Sequence, residues 1–270
     1  MSPLQHLTGT VALVGAGKMG GAMLTGWLAQ GLDPRRVVVV EPAPSEQISA
    51  LVERGARLNP EEPGAVETLL IALKPQSFRS AAPLLKSLTG PVTLVVSIMA
   101  GATIASLEAV CGGAVVRAMP NTPASIGRGI TVAVPAKKVS AAQRAIADAL
   151  LRATGRVEWV EDESLMDAVT AVSGSGPAYV FLLAEELARA GVAAGLPQEL
   201  AAKLARDTIA GSGELLHRSE LAPATLRQNV TSPGGTTAAA LSVLMGEDGL
   251  QQLMTRAVQA ASARSRELAK

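Results

Sequence analysis

What most constrains this chain is a series of short, almost wholly apolar segments, each followed by a stretch with helical spacing. Residues 10–15 (TVALVG), 36–41 (RVVVVE), 68–73 (TLLIAL) and 92–98 (VTLVVSI) carry the β-branched, near-continuous apolar pattern of strands buried on both faces. A sheet buried on both sides needs helices packed against each face. Residues 19–30 have helical spacing, with Gly31 placed to end the helix. Residues 46–54 look helical, and another helix runs to about Lys86. Residues 114–118 and 156–160 add strands flanking a helix at 140–153, and a short helix follows residue 98. With right-handed crossovers, the alternation predicts a parallel, doubly covered sheet: an α/β Rossmann-type domain.

Past residue 163 the strand pattern stops. Residues 164–172, 178–194, 197–217, 223–230, 236–245 and 249–268 all read as helices, with Pro197 and Pro223 where prolines suit a helix start. The expected organisation is a dinucleotide-binding domain at 1–163 and an all-α domain for dimerisation and substrate binding at 164–270. Small residues on the second domain (Gly191, Gly195, Gly211, Gly213) would let helices approach closely, which suits a homodimer. A formal net charge of +1 without a cationic block argues against nucleic acid or an anionic membrane as partner. The apolar runs are too short to span a bilayer, and residues 1–9 lack the pattern of a signal peptide. A single cysteine, Cys111, permits no intramolecular disulfide and fits a reducing, cytoplasmic setting.

Five segments carry chemistry. Gly15-Ala16-Gly17-Lys18-Met19-Gly20 follows a strand and opens a helix. Gly15 allows the tight turn, Gly17 lets backbone approach a pyrophosphate, and Gly20 lets helix and strand pack closely. Lys18 is solvated or faces phosphate, and the helix start attracts anions. Glu41, at the end of the second strand, stands where an acid accepts hydrogen bonds from the adenosine ribose. That favours NAD over NADP, although Ser45 could meet a 2′-phosphate. Ala72, Lys74 and Pro75 lie at the carboxyl end of the 68–73 strand, where an open α/β sheet binds its ligand. The segment 117–123 (RAMPNTP) is a stiff loop whose Met119 and Asn121 would meet the nicotinamide end. At 171–179 (AVSGSGPAY) small residues and a proline interrupt a helical stretch. That costs about 3 kcal/mol for proline inside a helix and about 1 kcal/mol per glycine, unless a kink or a ligand requires it. Finally, 230–237 (VTSPGGTT) places a glycine-rich, hydroxyl-bearing loop without acids before a helix, an anion site suited to a carboxylate.

In this order and spacing the five segments closely resemble the pyrroline-5-carboxylate reductase family, from about Val11 to Leu268. RAMPNTP, SGSGPAY and SPGGTT are far more diagnostic than the glycine fingerprint. The resemblance implies a Rossmann domain followed by a helical domain that interlocks with a partner's, some members assembling further into decamers. It implies NAD(P)H-dependent reduction of a cyclic imine to L-proline. The substrate carboxylate would lie on backbone N–H groups at Ser232, Gly234, Gly235, Thr236 and Thr237. Ser175 would be a further substrate contact, and Thr237, near the ring nitrogen, the catalytic candidate. Neither His6 nor His217 lies in a motif, and no Cys/His cluster suggests a metal. A β-hydroxyacid dehydrogenase would need a lysine in the first long helix of the second domain, and residues 164–194 contain none. A dinucleotide-sensing protein without catalysis would account for the fingerprint but not for the 232–237 loop.

Overall fold

A computed structural model describes residues 3–268. Eight strands form one sheet: β1 (Val11–Val14), β2 (Val37–Val40), β3 (Arg57–Leu58), β4 (Thr68–Ile71), β5 (Leu94–Ser97), β6 (Ala114–Met119), β7 (Gly129–Pro135) and β8 (Gly155–Trp159). Their order is β3-β2-β1-β4-β5-β6-β7-β8. β1 pairs in parallel with both β2 and β4, so the chain reverses its winding direction there. β5 and β6 continue the parallel run. The sheet is not parallel throughout, contrary to the sequence expectation: β7 runs antiparallel to β6, and β8 pairs in parallel with β7. β3 and β7 are additions to the six strands read from the sequence.

The helices of this part are α1 (Lys18–Ala29), α2 (Glu46–Ser49), α3 (Phe78–Leu88), α4 (Ile104–Cys111) and α5 (Ala141–Arg152). Alternate residues of each strand feed two cores, as period-2 geometry demands. Val11, Leu13, Val37, Val39, Val96, Val116 and Ala118 pack with Met23, Leu24 and Trp27 of α1 and Leu150 of α5. Ala12, Val14, Leu69, Ile71 and Val115 pack with Leu85 and Leu88 of α3 and Leu107 of α4. Trp27 is fully buried, and its indole N–H donates to the Leu150 carbonyl at 2.8 Å, so α1 and α5 are tied across the first core. α1 ends as predicted: Gly31 takes φ +92, its N–H bonds to Leu28 O and Leu32 N–H reaches Trp27 O. The 46–54 stretch is broken, with α2 followed by a 3-10 turn at Val52–Arg54 and Gly55 at φ +96.

The remaining helices are α6 (Met166–Val169), α7 (Gly176–Ala193), α8 (Gln198–Arg218), α9 (Pro223–Asn229), α10 (Thr236–Leu244) and α11 (Leu250–Leu268). A π-helical turn at Thr170–Gly174 separates α6 from α7. The chain divides into two compact units, one of residues 1–174 with 262–270, the other Ser175–Ala261. The sheet unit therefore carries the π-turn and the end of α11 in addition to residues 1–163. In the second unit α7 packs against α8. Gly191 stands where an added Cβ would lie 3.2 Å from the Ala201 side chain, the close approach expected of small residues. α7 has no buried residue at all: Val180, Phe181, Leu182, Leu183 and Leu187 are exposed, Phe181 at 68%.

Candidate functional site

In the sheet unit the glycine turn joins β1 to α1. Gly15 takes φ +93, a conformation side chains rarely adopt, and a Cβ there would sit 2.7 Å from the Ala72 carbonyl. Gly20 is tighter still: its Cβ would lie 2.0 Å from Gly15 O and 3.1 Å from the Ala72 side chain. Gly17 differs from both. Nothing lies within 4 Å of where its Cβ would be, and as the first flanking residue of α1 it supplies no side-chain cap. The start of α1 is thus open to approach by an anion, with its N–H groups and positive dipole end available. Lys18 is exposed and Met19 half-buried. A cavity of about 730 Å³ opens here, lined by Gly17, Lys18, Ala43, Ser45 and the outer face of α1.

Glu41 is bound into this turn. One carboxylate oxygen accepts the Ala16 N–H at 2.8 Å, and the other accepts the Ala43 N–H at 3.1 Å. Its backbone is pinned from both sides by Asn59, whose Oδ1 accepts the Glu41 N–H and whose Nδ2 donates to the Glu41 carbonyl, each at 2.9 Å. Asn59 has φ +46, a left-handed conformation that asparagine tolerates better than most residues. Sequence reasoning missed Asn59. Ser45, which could meet a 2′-phosphate, caps α2 by accepting the Ile48 N–H at 3.3 Å and lines the same cavity.

A second cavity of about 230 Å³ lies beyond β4, β5 and β6, lined by Met19, Ala72, Leu73, Met99, Met119, Asn121 and Gly174 among others. The predicted cofactor residues Met19, Ala72, Met119 and Asn121 therefore share one pocket. Lys74 and Pro75 do not line it. They are exposed, Pro75 opening the 3-10 turn at Pro75–Ser77. Asn121 holds the loop after β6: its Oδ1 accepts the Ile130 N–H at 3.0 Å, and its Nδ2 donates to Ser173 Oγ at 3.4 Å. The π-turn comes equally close, since a Cβ on Gly174 would lie 2.4 Å from Met119 Cε. The break at 171–179 thus brings backbone against a pocket wall, a common use of π-turns. Arg117, on β6, is only 5% exposed and pairs with Glu163 at 2.8 Å. Glu163 was not anticipated.

In the second unit residues 231–235 form a turn before α10. Gly234 takes φ +70, and the Gly235 N–H bonds to Ser232 O at 3.1 Å. Gly235 flanks α10 without a side-chain cap, so the first N–H groups of that helix meet no hydroxyl or carboxylate of their own. Ser232, Gly234 and Thr236 are exposed, and Gly235 and Thr237 half-exposed. Ser175 is half-buried and begins this unit, its carbonyl accepting the Ala178 N–H at 3.0 Å. Among the described residues no three His, Cys, Asp or Glu side chains converge as a metal would require. No helix among them is long and apolar enough to cross a membrane.

Comparison with known proteins covers both units. Residues 163–268 match the family model described as pyrroline-5-carboxylate reductase dimerisation, and residues 10–101 match that of NADP oxidoreductase coenzyme F420-dependent. The pyrroline-5-carboxylate reductase of Pseudomonas aeruginosa is 39% identical over 267 residues, 97% of each chain. A solved pyrroline-5-carboxylate reductase from Coxiella burnetii superposes with a TM-score of 0.89 at 34% identity, over 98% of this chain and 100% of that one. The pyrroline carboxylate reductase of Plasmodium falciparum, solved with NADP bound, gives 0.79 at 28% identity, over 97% and 99%.

Proposed function

The chain belongs to the pyrroline-5-carboxylate reductase family, and from that premise we propose that it reduces L-1-pyrroline-5-carboxylate to L-proline with a reduced nicotinamide dinucleotide. The observation that carries this is the 39% identity spanning 97% of both chains, which leaves neither unit without a counterpart. The glycine turn fits the cofactor on its own geometry, because the space beside Gly17 is open while Gly15 and Gly20 are closed by contacts. When bound, the nicotinamide supplies a hydride to the imine carbon. The chain's part is to hold and orient. Gly15, Gly17, Lys18, Met19 and Gly20 receive the pyrophosphate at the start of α1. Glu41 faces the adenosine ribose, Lys74 and Pro75 border the cofactor from the end of β4, and Met119 and Asn121 wall the nicotinamide pocket. N–H groups at Ser232, Gly234, Gly235 and Thr236 hold the substrate carboxylate, with Ser175 as a further contact. The Thr237 hydroxyl hydrogen-bonds at the ring nitrogen. A protonated imine is already electrophilic, so positioning is the larger contribution.

NADH is the preferred cofactor in this proposal. The Glu41 carboxylate, fixed by two backbone N–H groups, would accept ribose hydroxyls and repel a 2′-phosphate. The Plasmodium relative was solved with NADP, so preference in this chain turns on its own residue 41. The exposed apolar face of α7 and the dimerisation model matched at 163–268 support a homodimer, and the free thiol of Cys111 fits the reducing setting of the cytoplasm. Light scattering would report that dimer, or the decamer that the resemblance allows. The deciding experiment mixes purified protein with pyrroline-5-carboxylate and follows loss of reduced-nicotinamide absorbance, NADH and NADPH in parallel. Oxidation with proline formed supports the assignment. Protein that binds cofactor but turns over no imine would instead be the dinucleotide sensor.

A further inference from the structure

The pocket that Met19, Ala72, Met119 and Asn121 share is framed by segments far apart in sequence, and three of them meet at one carboxylate. Glu163 Oε1 accepts Arg117 Nη1–H at 2.8 Å and the Ile104 N–H at 2.8 Å. Each donor leads directly to a wall. Arg117 stands two residues before Met119 on β6, and both Met119 and the following Pro120 and Asn121 line the pocket. Ile104 opens α4, at the end of the loop that carries Met99 and Ala100 of the same pocket. Glu163 itself begins the segment that runs through α6 into the π-turn, whose Gly174 lines the third side.

The arrangement is built where a simpler one would serve the core. Val115, on the same face of β6 as Arg117, packs among apolar side chains beside α4. A guanidinium in that row, 5% exposed, must be paired to be tolerated. Only the Arg117 end of the pair is buried, the Glu163 side chain being 32% exposed, and even a fully buried ion pair is weak evidence for stability, since apolar side chains of similar size often serve as well or better. Its carboxylate also sits at the first turn of α4, where Thr103 already caps the Ser106 N–H at 3.1 Å, so the helix start does not depend on Glu163 alone.

We propose that Glu163 is a positioning residue for hydride transfer, acting through Arg117 and the Ile104 N–H to set the nicotinamide pocket's walls. Its effect falls on the nicotinamide end of the cofactor and on turnover, leaving the adenosine end, on the side of Glu41 and the cavity lined by Ala43 and Ser45, as it was. This rests on the reductase assignment above, and the test separates the two. Glu163→Ala removes both hydrogen bonds, and Glu163→Gln keeps size and an acceptor while removing the charge. Binding of ADP-ribose, which lacks the nicotinamide, is measured beside binding of NADH and steady-state kcat. The expected result is a kcat at least fivefold lower, an NADH affinity lowered several-fold and an ADP-ribose affinity within twofold of the parent. Should Glu163→Ala not fold, Glu163→Gln carries the same comparison with a smaller change in the same direction. ADP-ribose and NADH affinity falling in parallel would make the pair merely structural and overturn the inference, as would unchanged kcat. A parent protein that binds NADH without reducing the imine would sink the reductase assignment instead. The ratio of NADH to ADP-ribose affinity would then still judge Glu163.

Discussion

Replacing Glu41 with glutamine should move the enzyme from NADH towards NADPH. The glutamine side chain has the same length, and its carbonyl oxygen can still accept the Ala16 N–H that the carboxylate accepts at 2.8 Å. What is lost is the charge, together with the acceptor for the Ala43 N–H at 3.1 Å, which an amide NH2 cannot replace. A ribose 2′-phosphate carries roughly −1.5 to −2 at neutral pH. Two unit charges at 4 Å interact by about 1 kcal/mol in bulk water and about 4 kcal/mol at an effective dielectric of 20. Glu41 is neither buried nor fully exposed. The relief on neutralisation is therefore about 2 kcal/mol, or roughly thirtyfold in NADPH affinity. NADH should weaken at the same time, because hydroxyl donors lose a charged acceptor for a neutral one, a difference of about 1 kcal/mol and roughly fivefold. The ratio of kcat/KM for NADPH over NADH thus rises on the order of a hundredfold. The assay is that ratio, parent against variant, at low and high salt, where screening should shrink the parent's discrimination against NADPH. A ratio within about threefold of the parent's would refute the electrostatic argument. The preference for NADH would then have to come from something other than the Glu41 charge, and it could not come from Lys18, the one basic residue lining the adjacent cavity among the described residues, because a cation there favours the 2′-phosphate.

Gly20→Ala would put a methyl carbon 2.0 Å from Gly15 O, so the fingerprint must open; NADH affinity should fall by about two orders of magnitude or the melting temperature drop, as overpacking costs about 1–3 kcal/mol, and fluorescence titration beside a thermal melt would show which. Thr237→Ala should lower kcat about tenfold, the loss expected of one hydrogen bond to a reacting centre, with NADH affinity unchanged; equal turnover in stopped-flow would remove Thr237 from the mechanism. Burial pushes the Cys111 thiol up to about 11, so at pH 8 about one molecule in a thousand carries a thiolate, and iodoacetamide should label the native chain far more slowly than the unfolded one. Because the folded chain holds that proton more tightly than an unfolded thiol of pKa 9.0, the stabilisation is complete below pH 9 and fades as pH rises towards 11; urea midpoints across that range that do not fall would contradict it.

The elements legible in the sequence were those whose signal recurs within the element. β1, β2, β4, β5 and β6 bury nearly every residue, so five or six apolar letters sufficed. α1 announced its end because Gly31 is required by the cap it makes. β7 escaped because its pattern is mixed: Ile130 is exposed while Thr131 and Ala133 are buried, the half-open alternation of an antiparallel strand, and it begins with a glycine. β3 is two residues long and has no pattern to find. The site divides the same way. Its glycines stand together in a contiguous motif, and so did the residues that the resemblance marked at 232–237. Asn59 binds Glu41 across 18 residues, Glu163 binds Arg117 across 46 and Ile104 across 59, and Asn121 meets Ser173 across 52. Asn59 and Glu163 are common polar residues with nothing local to single them out, and what ties each to its partner is a contact that only the fold brings within hydrogen-bond reach. Motif reading therefore marks contiguous candidate surfaces and passes over partners such as Asn59 and Glu163 that lie far away in sequence. In this chain Glu163 and Asn121 tie together the walls of the pocket shared by Met19, Ala72 and Met119, and if that pocket takes the nicotinamide as proposed, a misplacement of about 1 Å can cost on the order of a hundredfold in rate.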